Sequence, residues 1–357
     1  MTNNAVPIVD SHLDLAENVT FCGRDLTLTA LEIRALENRT DQQAMVSLPD
    51  LQRGGVAVVF GTIFAGTRAE DASPERALRP GVYSTPEEAA ANALAQIELY
   101  ETWEEQGRVR LIKSIADLDD HLCLWTDDRR PGVVLLMEGA DPIAGVKDLP
   151  KWWRRGVRII GLTFGDTKYG TGMRGGTATF KPGGLTSDGV AMLEKMAELG
   201  FIWDISHLTE EGVLQGLDPR HPRVCCSHAN VQALTPTNRH LSDDIIRAVA
   251  ERGGVIGLTL GNSFLEPRWR EDKSIPITLE HVRRHVERIA NLGGWNAVGI
   301  GSDLDGGFGV EETPVEINTI ADLYKVGSIA PEEHRDKLLG NNWLSFLRSA
   351  LPPDAAN

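Results

Sequence analysis

Eight short apolar runs, separated by stretches of helical spacing, set the tightest limit on what this chain can fold into. They are PIVDSH from residue 7, GVAVVFGTIF from 55, GVVLLMEGA from 132, GVRIIGLTF from 156, FIWDISH from 201, RVCCSH from 223, GGVIGLTLG from 253 and AVGIGSD from 297. Runs that are apolar at nearly every residue suit strands covered on both faces, as in a parallel sheet. The stretches between them carry helix signals. Residues 86–106 open with Pro86 and two acids and stop before Gly107, residues 187–199 open with a Ser or Asp cap and stop before Gly200, and 242–252 and 278–292 repeat the pattern. Strand and helix alternating in this way predict a (β/α)8 or TIM barrel. A ninth run, VRLI from 109, either replaces one of the eight or lies outside the barrel.

A barrel of this kind takes roughly 250 residues, so the 357 residues here leave room for insertions. These are expected at 66–85, 165–186, 262–276 and 306–330, where Gly, Pro, Thr and charge dominate. The chain 1–357 reads as a single barrel domain with long active-site loops and a short frayed tail, PPDAAN.

The polar residues that close the runs form a pattern. The first ends in His12 and Asp14, the third in Glu138, the fifth in His207, the sixth in His228 and the eighth in Asp303. In a barrel the C-terminal strand ends share one face, which carries the active site, and residues two apart on a strand project together. A lone strand-end histidine is more often a hydrogen-bonded structural residue, and a lone acid there often caps a helix. Five strands ending alike favour a metal centre. Histidine with carboxylate suits zinc, and six such groups exceed what one catalytic zinc needs. Two ions about 3.5–4 Å apart, bridged by Glu138, are expected. A hydroxide held between them would attack a carbonyl that the ions polarise. Asp303 could accept its proton and deliver it to the leaving amine. Arg239, beyond the sixth run, is either a surface arginine or a bidentate clamp for a carboxylate.

A net charge of -15 argues against a nucleic-acid or anionic-membrane surface, both of which need clustered Lys and Arg. A small-molecule substrate is expected instead. No run approaches the roughly 18 apolar residues of a membrane span, and the polar start MTNN lacks signal-peptide features. The four cysteines, Cys22, Cys123, Cys225 and Cys226, form no CxxC pair, so reduced thiols in a cytoplasmic protein are expected.

Other signals carry less. GTGMRG at 170–175 fits GxGxxG but opens no helix, so it reads as a loop over the active site. His281 and His285, a helical turn apart amid arginines, read as a solvated face. Cys225 and Cys226 are expected on opposite sides of their strand, and Trp152 and Trp153 in helix packing.

The order SHLDLA, LLMEGAD, GLTSDGVAMLEKMAELGFIWDISHLTEE, VCCSHANVQALTPTNRHLSDDII and VGIGSDLDG resembles the membrane (renal) dipeptidase family, a metallopeptidase branch of the amidohydrolase superfamily. The likeness runs from about residue 8 to about residue 345. It implies a zinc-dependent barrel that cleaves dipeptides and acts as a homodimer. By that match His12, Asp14 and Glu138 hold one zinc, and Glu138, His207 and His228 the other. Arg239 matches the residue that binds the substrate carboxylate, and Asp303 the one near the free amine. One departure stands out. The family carries a histidine just after LT at the end of the fourth strand, where it helps bind and polarise the scissile carbonyl, and this chain has Phe164. Phenylalanine donates no hydrogen bond, and losing one such donor can cost on the order of 3 kcal/mol in the transition state. Lys168 or Tyr169 could substitute, though both read more readily as loop residues. The expectation is a dinuclear zinc dipeptidase; the alternative is an amidohydrolase acting on another small amide or N-acyl amino acid. A metal-retaining protein without turnover is a third reading, and the presence of Asp303 and Glu138 counts against it.

Overall fold

A computed structural model describes residues 6–69, 81–174 and 182–354. All eight runs form strands: β1 Ile8–Leu13, β2 Val56–Phe64, β3 Gly132–Glu138, β4 Val157–Gly161, β5 Ile202–Asp204, β6 Val224–Cys225, β7 Ile256–Leu258 and β8 Val298–Ile300. Every residue in them is buried, as the uninterrupted apolar runs predict. The strands pair in parallel in the order β7-β8-β1-β2-β3-β4-β5-β6. A parallel bridge between Cys226 and Ile256 joins the two ends, with Cys226 N–H donating to Val255 O at 3.0 Å and Gly257 N–H to Cys226 O at 2.8 Å. The result is a nearly closed eight-stranded barrel with helices between its strands. VRLI supplies a two-residue strand, Arg110–Leu111, that pairs with the start of β3 and stays off the barrel path.

The helices begin and end where their caps dictate. Pro86–Glu105 starts on a capping box between Thr85 and Glu88 with proline in the first turn. Ser187–Leu199 is capped by Thr186, one residue ahead of the expected Ser or Asp, and closed by Gly200 at φ 89°. Asp243–Glu251 is capped by Ser242, and Leu279–Gly293 follows Thr278.

Alternate strand residues fall into two apolar clusters. One gathers Val9, Phe60, Val134, Leu136, Ile159, Ile202 and Cys225 from across the barrel with Trp343, Leu344 and Phe346 of the helix Asn342–Ala350. The other packs Val59, Val133, Leu135, Ile160, Trp203, Val224 and Cys226 against the surrounding helices. Cys225 and Cys226 therefore face opposite sides, as expected. Trp152 and Trp153 pack as expected too, Trp153 edge-on to Phe201 at 4.9 Å.

One expectation is corrected. His285 is not on a solvated face: it is buried in the stripe of Leu279, Val282, Val286 and Ile289, and its Nδ1 accepts the Val231 N–H at 3.1 Å. The tail is tied down at its start, where Pro352 and Pro353 carbonyls accept the Ile115 and Ala116 N–H groups that open the helix Ile115–Asp128. Residues 70–80 and 175–181 of the expected insertions, Gly175 of the glycine-rich run and tail residues 355–357 lie outside the described residues. Among the described residues no helix is long and apolar enough to cross a membrane.

Candidate metal centre

The strand ends bring the predicted ligands together. Glu138 Oε1, closing β3, lies 3.0 Å from His207 Nε2 and 3.6 Å from His228 Nε2, while its Oε2 lies 3.7 Å from His12 Nε2. His12 Nε2 is 3.8 Å from Asp14 Oδ1 and 3.9 Å from Asp303 Oδ1. Two overlapping groups, His12 with Glu138 and His228, and His12 with Asp14 and Asp303, each hold their ligand atoms within 4.8 Å of one another. All six side chains are buried.

Backbone strain aims two of them. His207 and Asp303, just past β5 and β8, adopt φ of 67° and 60°, a left-handed conformation that non-glycine residues take at a cost of about 1–3 kcal/mol. Each turn is held by a main-chain bond: Met173 N–H to His207 O at 2.6 Å, and Asp303 N–H to His12 O at 3.3 Å.

Whether a cation fits can be read from the acceptors. His207 Nδ1 lies 2.7 Å from Met173 O, and since a carbonyl only accepts, that nitrogen carries the proton. The Nε2 lone pair of neutral His207 then faces His228 Nε2 at 2.9 Å beside Glu138 Oε1. His12 Nε2 is buried without a hydrogen-bond partner. Acceptors crowded in this way repel unless a cation or a proton lies among them. Imidazole nitrogens and carboxylate oxygens are the donor set of zinc, so the residues present fit a divalent ion.

The electrostatics agree. Burial, reinforced by Glu138, pushes Asp14 up to about 6, and burial, with Asp14 and Glu138 adding, pushes Asp303 well above the carboxylate range. Burial would raise Glu138 too, but His12 and His207 outweigh it and hold Glu138 below its ordinary value. Burial would lower His12, yet the surrounding Glu138, Asp14 and Asp303 push it up to about 10. The centre thus presents a negative field that a bound cation would neutralise.

Arg239 is buried beside it. Its Nη2 donates to His228 O at 2.7 Å and lies 3.3 Å from His207 Nε2, while Nε and Nη1 have no partner. Phe164 is half-buried, its ring centroid 4.8 Å from that of His207 and 4.7 Å from that of Phe64. Neither neighbouring polar group is brought in. The Tyr169 hydroxyl donates to the Ile143 carbonyl from a ring buried in the larger apolar cluster, and Lys168 Nζ donates to the Ala144 carbonyl.

Sequence reasoning missed the groups that hold the ligands. Thr62 donates to Asp14 Oδ1, Asp10 accepts the Ser302 N–H at 2.8 Å and the His12 N–H at 3.2 Å, and Asp204 accepts the Ser227 N–H at 2.8 Å. An acid two or three residues ahead of a strand-end histidine, Asp10 before His12 and Asp204 before His207, was the available signal. The glycine-rich run also has a place, since Gly172 bridges to Leu208 and Met173 supplies the carbonyl on His207.

Residues 2–350 match the family described as Membrane dipeptidase (Peptidase family M19). A Klebsiella pneumoniae protein described as an uncharacterized protein in the pqqA 5' region is 32% identical over 253 residues, 68% of this chain and 89% of that one. An uncharacterized dipeptidase of Schizosaccharomyces pombe is 27% identical over 55% of this chain, a match that spans 46% of its own length. The crystal structure of dipeptidase AC, described as a metallopeptidase of family M19, superposes with a TM-score of 0.77 at 25% identity, covering 97% of this chain and 99% of that one. A Rhodobacter sphaeroides metallopeptidase, solved with a phosphinate mimic of the dipeptide L-Ala-D-Ala, shares the fold at a TM-score of 0.77 and 24% identity, covering 97% of this chain and 100% of the other.

Proposed function

The chain belongs to the membrane dipeptidase family, and on that premise we propose that it hydrolyses the peptide bond of dipeptides at a centre of two zinc ions bridged by Glu138. The observation that carries this is the convergence of His12, His207 and His228 Nε2 on the two oxygens of one buried glutamate. His12, Asp14 and Glu138 would hold one ion, and Glu138, His207 and His228 the other. Bound there, the ions would polarise the scissile carbonyl and bring the pKa of a water molecule close to neutrality.

The chain's own residues do the rest. Arg239 offers two unpartnered N–H edges that suit the substrate's carboxylate. Asp303, 3.9 Å from His12 Nε2, would take a proton from the attacking water and return it to the leaving amine. Phe164 and Phe64 form an apolar wall beside His207. Because Phe164 donates nothing to a carbonyl, another small amide or N-acyl amino acid is the second reading. A panel of L,L and L,D dipeptides beside N-acyl amino acids, scored by release of free amino acid, separates the two. This reading takes 1–357 as one barrel domain and, from the family resemblance, a homodimer; four cysteines with no CxxC pair suit a cytoplasmic setting.

A further inference from the structure

The Ser227 hydroxyl, between β6 and His228, touches four polar atoms. They are Asp204 Oδ2 at 2.5 Å, His228 Nδ1 at 2.8 Å, Ser206 Oγ at 3.1 Å and His12 Nδ1 at 3.2 Å. All five residues are buried.

A hydroxyl has one proton to give and two lone pairs. The Asp204 carboxylate already gathers Ser206 N–H at 3.1 Å, Ser206 Oγ at 2.8 Å and Ser227 N–H at 2.8 Å. The 2.5 Å contact has the length of a charge-assisted O–H···O⁻ bond. The Ser227 proton therefore goes to Asp204, and the Ser206 proton does too. Only lone pairs of Ser227 Oγ remain for the two rings, so each ring must present Nδ1–H. A neutral imidazole protonated at Nδ1 keeps its lone pair on Nε2, the atom each ring turns toward Glu138.

We propose that Ser227 is a positioning residue that, backed by Asp204, sets the tautomer of His12 and His228 together and so couples the two halves of the metal centre through one hydroxyl. His207 is outside this control, since Met173 O holds its Nδ1–H. The functional meaning rests on the two-ion reading; the proton placement does not. Partners of this kind behind a histidine ligand are typically worth about 10–100-fold in metal affinity, and here the loss would fall on both ions at once.

The test starts from full-length, metal-free protein labelled with 15N at histidine, whose ring spectra report which nitrogens are protonated. The expected result is a proton on Nδ1 of both His12 and His228, whether either ring is neutral or cationic. A bare Nδ1 on either ring overturns the proposal, with no variant needed. In Ser227→Ala, affinity for Zn2+ measured against a competing chelator should fall about 10–100-fold at both sites, His12 and His228 should lose their fixed Nδ1–H tautomer, and His207 should keep its own. Ser227→Thr should restore all three readouts. If Ser227→Ala fails to fold, Asp204→Asn takes its place: the new amide donates to Ser227 Oγ, turns its proton toward a ring and must convert one histidine to the Nε2–H form. Unchanged tautomers in either variant, or a loss confined to one ion, would contradict the coupling. Wild-type protein that shows both Nδ1–H signals but binds fewer than two ions would instead sink the two-ion reading.

Discussion

The ring of Phe164 lies against the imidazole of His207, centroids 4.8 Å apart and planes inclined by 58°, with the Arg174 guanidinium 5.5 Å above the Phe164 centroid. An aromatic side chain that donates no hydrogen bond is thereby wedged beside His207 of the candidate centre. The Tyr169 hydroxyl and the Lys168 ammonium donate instead to the loop carbonyls of Ile143 and Ala144.

Phe164→His should therefore raise kcat on dipeptides, by about 10–100-fold if the new ring donates to the developing oxyanion, with a smaller change in KM. Steady-state kinetics on the folded variant check this. An unchanged or lower kcat would show that the centre does not lack a donor there.

Arg239→Met should lower kcat/KM by about 100-fold or more, mainly through KM, because a buried charge-assisted clamp on the carboxylate is lost. The specific check is a dipeptide amide. Wild-type protein should discriminate strongly against it, and the variant should treat acid and amide nearly alike. Equal discrimination in both proteins would remove Arg239 from carboxylate recognition.

Asp303→Asn keeps the side-chain shape while removing the proton carrier. Hydrolysis should fall by about 100- to 10,000-fold with metal content at the wild-type level, measured by elemental analysis of the same sample. Undiminished turnover would rule out the assigned proton transfer.

Two histidines remote from the centre set an acid response of the fold. Burial pushes both His121 and His285 down to about 4. The unfolded chain takes up these protons near the ordinary histidine value of about 6.5, so between about pH 6.5 and 4 it binds more protons than the folded one. Their contribution to stability is complete above about pH 6.5 and is lost as pH falls toward 4. At about 1.4 kcal/mol per pKa unit the loss is at most about 3.5 kcal/mol for each. Buried Asp10 and Asp305, pushed up to about 6 by burial, act in the opposite sense, so the comparison must be between variants. The urea midpoint at pH 4.5, taken relative to that at pH 7, should be higher in His121→Gln and His285→Gln than in wild-type protein. An identical difference would contradict burial as the cause.

Much of the barrel is legible in the sequence because burial on both faces leaves a mark in each strand. Even β6, two residues long, announced itself as RVCCSH. The ligands were legible for a related reason: a polar group that ends a buried run is unusual enough to be noticed. Direction was not legible. Nothing in the run TKYG says that the Tyr169 hydroxyl turns to Ile143 O, and only distances reveal that one hydroxyl serves two rings through Ser227. His285 was misplaced because a polar residue was weighed by its type and not by its position, although Leu279, Val282, Val286 and Ile289 mark the buried stripe in which it stands.

The most direct measurement joins metal analysis of the purified protein to hydrolysis of a mixed L,L and L,D dipeptide panel, before and after chelation. The account predicts two metal equivalents per chain and release of free amino acids, both abolished by the chelator and both restored when Zn2+ is added back. Turnover that survives complete removal of metal, or a chain that binds no more than one equivalent and releases nothing, would contradict it.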